Sequence, residues 1–149
     1  MHFSFYTATQ DDLQALVQLE AICFPTDSWG ELALAAHLDS PITRTLLVAE
    51  EGVLKGALLL QLIAPEFEVL RIFTHPCARR QGVAQLLLTN AHAALVAEGF
   101  TKGFLEVRES NAPAIGLYTR NGYLPCGKRT AYYQHPTEDA LLMEITLKP

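Results

Sequence analysis

Ile72-Phe73-Thr74-His75-Pro76-Cys77-Ala78-Arg79-Arg80-Gln81-Gly82-Val83-Ala84 is the stretch whose reading decides the fold. Phe67 to Thr74 has the apolar, β-branched composition of a strand, and Pro76 ends it. Val83, Leu87, Ala91 and Ala94 then form one helical stripe, with Leu88 and Leu95 beside it. The spacing predicts a helix from about Gly82 to Glu98, closed by Gly99. A strand therefore runs through a short loop directly into a helix N-terminus. Free backbone N–H groups and the helix dipole make such a terminus a place for an anion. Gly82 lets a phosphate approach the backbone closely, and Arg79 and Arg80 add positive charge. On these residues alone, an ordinary turn carrying a solvated Arg pair reads equally well. The loop is neither a Walker A loop, since no Gly-Lys-Ser/Thr follows, nor a dinucleotide fingerprint, since the third glycine is absent.

Upstream, Phe3 to Thr7 reads as a strand. Thr9 is placed to cap a helix whose first turn holds Asp11 and Asp12, and Leu13, Leu16 and Val17 follow at helical spacing until Pro25 stops it. A second helix is expected over Trp29 to Leu38. Thr45 to Glu50 and Leu54 to Ile63, divided by Glu51-Gly52, read as a hairpin. Downstream, Phe104 to Val107 is a short strand, and Asn111 opens a helix with Pro113 in its first turn. Asn121-Gly122 closes that helix, and Tyr123 to Tyr132 and Ala140 to Thr146 are the last strands. The order β-α-α-β-β-β-α-β-α-β-β implies an α/β (α+β) domain with a mixed, mostly antiparallel sheet flanked by helices.

The 149 residues suit one domain, residues 1–149, able to bury a core. The composition is 50% hydrophobic and 18% charged, as in an ordinary globular protein. The net charge of −5 argues against general nucleic-acid binding and suits a cationic amine or a basic protein tail. Cys23, Cys77 and Cys126 are odd in number and lack CxxC spacing, so they are expected to be reduced structural thiols, with no disulfide framework and no metal site. No signal peptide is apparent, and the longest apolar stretch, Val53 to Ala64, is too short to span a bilayer, so no membrane partner and a cytoplasmic location are expected.

Arg79-x-x-Gly82-x-Ala84 resembles the (Gln/Arg)-x-x-Gly-x-(Gly/Ala) signature of the GNAT acetyltransferases, in its strand-to-helix setting. Leu105-Glu106-Val107-Arg108-Glu109-Ser110-Asn111, Leu117-Tyr118 and Asn121-Gly122-Tyr123 resemble a second stretch of that family. The likeness is to the branch that acetylates the N-terminal alanine of a ribosomal protein, with Tyr123 in place of the usual Phe. Arg129, Tyr132-Tyr133 and Glu138-Asp139-Ala140 resemble the ending of the same branch. Phe24-Pro25 and Trp29 match an early Phe-Pro-Trp segment loosely, with three extra residues between Pro25 and Trp29.

The resemblance implies the GNAT fold and acetyl-CoA as co-substrate. It assigns the CoA pyrophosphate to the main chain around Arg79, Arg80, Gln81, Gly82, Val83 and Ala84, and the pantetheine arm to the strand Ile72, Phe73 and Thr74. Asn111 would cap its helix and also bond the cofactor. Glu106 would be the base, acting through water, where the plain alternative is a half-exposed strand glutamate. Tyr118 would protonate the leaving thiolate, where the plain alternative is core packing. Tyr132 and Tyr133 would line the acceptor slot or be simple strand residues. His75 and His92 read as surface or packing histidines. Arg80 and Lys128 are candidates for the adenosine 3′-phosphate.

The partner implied is a protein N-terminus, a ribosomal protein among the candidates. An α-amine of pKa ~7.8 is about a quarter neutral near pH 7.4, whereas a lysine amine is only about 0.1% neutral, so an N-terminal acceptor asks far less of the base. A small-molecule or lysine amine, or a silent acyl-CoA-binding module, are the alternatives.

Overall fold

The computed structural model describes residues 2–149. The elements are β1 (Phe3–Thr7), α1 (Leu13–Cys23), α2 (Glu31–Asp39), β2 (Thr43–Glu50), β3 (Val53–Ile63), β4 (Glu66–Thr74), α3 (Val83–Ala97), β5 (Lys102–Arg108), α4 (Ala112–Arg120), β6 (Leu124–Tyr133) and β7 (Glu138–Thr146). Their order is the one the sequence implies. Thr9 caps a short 3-10 turn, Gln10–Asp12, that leads into α1: its Oγ1 accepts from Asp11 N (3.3 Å), and Asp12 Oδ2 accepts from Thr9 N (2.8 Å). Asn111 Oδ1 accepts from Ala114 N at 3.2 Å and caps α4.

The seven strands form one sheet in the order β1-β2-β3-β4-β5-β7-β6. Every neighbouring pair is antiparallel except β4 and β5. That parallel pairing is short, running from Glu66↔Lys102 to Val69↔Leu105. Beyond it, β4 stays with β3 as far as Thr74↔Gly56, and β5 stays with β7 as far as Arg108↔Ala140. The two strands therefore part, and the sheet opens between them.

A β-bulge accounts for the parting. Leu59 pairs with Arg71 and Leu60 with Val69, leaving Leu70 as an extra residue in β4. A bulge bends its strand and raises the local twist. It also switches the alternation of faces. Phe67 and Val69 pack in the core beneath α3, whereas Leu70 and Phe73 pack in the core beneath α1 and α2.

These two cores sandwich the sheet. On one face Leu16 and Leu19 of α1 and Leu34 of α2 meet Leu47, Ala57, Leu59 and Phe73. On the other, Val83, Leu87, Leu88, Ala91 and Leu95 of α3 meet Val48, Leu58, Leu60, Phe67 and Val69. Fully burying one such leucine contributes roughly 1.5–3 kcal/mol. Gly103 is opposite Phe67 in the parallel register, and a Cβ there would meet the Phe67 ring at 2.1 Å. The missing side chain lets the ring seal the joint just before the strands separate.

Candidate active site

The loop between β4 and α3 is built for an anion. His75 Nδ1 accepts from Cys77 N at 3.1 Å and starts a 3-10 turn over Pro76–Ala78. Arg80 (φ 66°) and Gly82 (φ 77°) both take left-handed backbone, which turns the chain into α3. A Cβ on Gly82 would meet nothing within 4 Å, so the first turn of α3 faces open space. The first N–H groups of an α-helix have no carbonyl partner within it. They and the dipole face a cavity of about 550 Å³, lined by Ile72, Phe73, Thr74, Arg79, Arg80, Gly82, Val83, Ala84, Asn111, Ala114 and Leu117. The far wall is α4, tied to α3 by the Gln85–Asn121 amide pair at 2.7 and 2.8 Å. The donor set fits a diphosphate at the loop and an apolar arm along β4.

A second cavity, of about 410 Å³, lies at the β4–β5 joint and is lined by Glu68, Phe104, Glu106, Arg129 and Leu142 among others. Glu106 Oε1 accepts from Arg129 Nε at 3.0 Å. Arg129 is 57% exposed, so this ion pair is open to solvent and adds little stability. Burial, and then the Glu106 charge, push the Glu68 carboxyl above its ordinary range. Two phenols lie near Glu106, those of Tyr132 and Tyr133, and the buried Tyr118 lies close to the second of them. The Tyr132 phenol is raised by the nearby Glu106 carboxylate. The Tyr133 phenol is pushed up to about 12, first by burial and then by Glu106. The Tyr118 phenol is raised far above its usual value, first by burial and then by Tyr133. All three phenols keep their protons at neutral pH. Arg108 fixes the β6–β7 turn from below: its guanidinium is 4.6 Å from the Tyr133 ring centre and donates to Gln134 O (2.8 Å) and Pro136 O (3.1 Å).

Comparison with known proteins agrees with this geometry. Residues 13–123 match the acetyltransferase (GNAT) family. The chain belongs to the GNAT acetyltransferase family. It is an N-acetyltransferase domain similar to the ribosomal protein bS18-alanine N-acetyltransferase of Escherichia coli K12, with 31% identity over 142 residues, 91% of this chain and 92% of that one. The crystal structure of the ribosomal-protein-S18-alanine N-acetyltransferase from Escherichia coli superposes with a TM-score of 0.93 at 25% identity, covering 99% of this chain and 96% of that chain. The PaiA N-acetyltransferase from Thermoplasma acidophilum, solved in complex with coenzyme A, shares the fold at a TM-score of 0.81 and 17% identity, covering 98% and 99% of the two chains.

Within this GNAT domain, Ile72, Phe73, Thr74, Arg79, Arg80, Gly82, Val83, Ala84 and Asn111 all line the larger cavity. Gln81 does not: its side-chain amide donates to Cys77 O at 3.4 Å and closes the loop on itself. Tyr118 is 6% exposed and lines neither cavity, packing edge-on against Tyr123 at 5.7 Å. Lys128 is held by Glu109 at 2.5 Å on β6 and lies outside the larger cavity, which Arg80 and Arg120 line instead. Among the described residues no group of three His, Cys, Asp or Glu could hold a metal ion, and no helix is long and apolar enough to cross a membrane.

Sequence reasoning missed Cys23 and Phe24, which come from the end of α1 to line the larger cavity. It also missed the Arg129–Glu106 pair and Glu68, because pairing across β4, β5 and β6 is set by the sheet order. The expectation of three structural thiols needs correction: Cys23 is half-buried and donates to Thr74 O at 3.3 Å, but Cys77 and Cys126 are exposed. Cys77 stands on a loop and Cys126 on the edge strand β6, where little covers a side chain.

Proposed function

We propose that this chain transfers the acetyl group of acetyl-CoA to the α-amine of a protein N-terminus, with an Ala-starting ribosomal protein as the acceptor class and a cytoplasmic setting. The observation that carries the reading is the opening between β4 and β5, with the larger cavity and its loop on one side and Glu106 near Tyr132 and Tyr133 on the other. The similarity to enzymes named for the N-terminal alanine of ribosomal protein bS18 supports the acceptor class.

In this reading the loop from Arg79 to Ala84 holds the pyrophosphate by main-chain N–H groups, and Asn111 adds a side-chain bond. Ile72, Phe73 and Thr74 align the pantetheine arm. Acetyl-CoA supplies the activated acyl group as a thioester. Glu106 takes the proton of the ammonium through water, leaving the neutral amine to attack. Tyr118 gives its phenolic proton to the departing sulfur. Tyr132 and Tyr133 flank the amine. Fixing both reactants in one opening contributes the orientation term.

The three additional residues between Pro25 and Trp29 favour a second reading in which the acceptor is a small-molecule or lysine amine. One panel tests both. Wild-type protein, acetyl-CoA, an Ala-starting peptide, the same peptide with a blocked N-terminus and a free lysine, and polyamines are compared by mass spectrometry. Acetylation confined to the free N-terminus supports the first reading, and faster acetylation of a lysine or polyamine overturns it.

A further inference from the structure

Arg71 lies on β4 immediately after the bulge, and the loop between α1 and α2 closes around its guanidinium. Nη1 donates to Asp27 O at 2.9 Å and to Glu20 Oε2 at 3.2 Å, and Nη2 reaches Asp27 Oδ2 at 3.4 Å. The Phe24 ring centre is 4.0 Å from Cζ and that of Trp29 is 5.5 Å away. Four residues spread over ten positions, from the last turn of α1 into the loop after it, thus converge on a single side chain of the strand that borders the opening.

Glu20 is the other half of the device. It is fully buried at the end of α1, and its carboxylate also accepts from Trp29 N (2.9 Å) and Gly30 N (3.2 Å), where α2 begins. A buried carboxylate is retained only when several donors satisfy it. Here they come from the end of the loop and from β4, so the last turn of α1 is tied to the start of α2, and Arg71 ties Asp27 in the middle. The tie serves the site. Cys23 and Phe24 line the larger cavity beside Thr74, and Phe24 packs edge-on against Phe73 at 5.6 Å. The Asp27 side chain is 77% exposed, held by Arg71 at 3.4 Å.

We propose that Arg71 is a positioning residue for the acceptor, holding residues 24–29 as a fixed wall against β4, with Phe24 on Phe73 at the edge of the opening that the amine enters. The inference rests on the acceptor reading above and names what shapes that entrance. It also gives the longer Pro25–Trp29 segment a physical account, because Arg71 fills and fastens it.

The test uses the full chain with Arg71→Met, Arg71→Lys and Asp27→Asn. The peptide KM should rise about tenfold in Arg71→Met, the scale of one lost charge-assisted contact, with kcat at saturating peptide changed less than about threefold. Affinity for acetyl-CoA should stay within about twofold, because the phosphate loop is untouched. Arg71→Lys keeps the charge without the fork and should fall between. Trp29 is the only tryptophan, so acrylamide quenching of its fluorescence reports on the loop without any turnover, and it should increase in Arg71→Met. A lower Tm with unchanged peptide KM and unchanged quenching would make Arg71 a mere prop and overturn the proposal. Should Arg71→Met fail to fold, Asp27→Asn decides. It removes one exposed contact and should raise the peptide KM about two- to threefold with no change in Tm, and an unmoved KM sinks the idea. If wild type acetylates no peptide, the acceptor reading fails by itself. The same KM comparison on the amine that wild type does accept then supports or overturns the role of Arg71.

Discussion

Tyr118→Phe removes one buried phenolic oxygen and little else. The ring it leaves still packs edge-on against Tyr123 at 5.7 Å and remains 6% exposed. Losing at most one hydrogen bond changes stability by about 0.5–1.5 kcal/mol. A positioned general acid contributes about 10²–10⁴ in rate, which corresponds to about 2.7–5.4 kcal/mol of barrier. Chemistry should therefore suffer far more than folding does. Under saturating acetyl-CoA and peptide, kcat should fall at least about a hundredfold while both KM values stay within about threefold, since the phenol acts only as the thiolate leaves. Release of free CoA thiol, followed by a thiol reagent, is the assay, with a thermal melt beside it. Burial and the neighbouring Tyr133 keep the Tyr118 phenol protonated well above its ordinary pKa of 10. Wild-type kcat should accordingly show no alkaline loss from this group up to pH 10. If Tyr118→Phe kept kcat within threefold of wild type, Tyr118 would be a packing residue and the proton would come from elsewhere.

Gly82→Ala puts a methyl group into the space the diphosphate would use and forces an L residue to φ 77°, which costs roughly 1–2 kcal/mol. Calorimetry should find acetyl-CoA affinity at least about tenfold weaker with a modest fall in Tm. Gly103→Ala drives a Cβ against the Phe67 ring and should destabilise by about 1–3 kcal/mol in urea titrations, the range for an overpacked core. Burial holds the imidazoles of His37 and His92 below their ordinary pKa of 6.5. The unfolded chain then binds more protons than the folded one below pH 6.5, so their contribution is present above that pH and is lost as pH falls through it. The slope should be at most about 1.4 kcal/mol per pH unit for each histidine, and His37→Gln should flatten it in melts between pH 7.5 and 5.5.

The succession of elements was legible because each carries a local signal: the stripe from Val83 to Leu95, Asn111 at the start of α4, Gly99 after α3. The boundaries drifted by a residue or two. Tyr123, read as the first residue of β6, is a fully buried core residue one position before the strand begins. The turn from β4 into α3 was also legible, since Gly82 announces the left-handed backbone found there. Arg71 and Glu20 carried no such signal. An arginine in a strand and a glutamate in a helix look like ordinary solvated charges, and they become partners only because the bulge at Leu70 turns Arg71 toward α1. The parting of β4 from β5 was hidden for the same reason: register is a property of two strands. The side chains of Gln81 and Lys128 bond within the protein, to Cys77 O and Glu109, which the sequence does not announce.

The central claim is that this domain acetylates the α-amine at a protein N-terminus. The most direct measurement is the site of the added acetyl group after incubation of wild-type protein and acetyl-CoA with an Ala-starting peptide that also contains a lysine, located by fragmentation mass spectrometry. The account predicts a single acetyl on the N-terminal nitrogen and none on the lysine. An acetyl found on the lysine, or an unmodified peptide beside an acetylated polyamine, would contradict it.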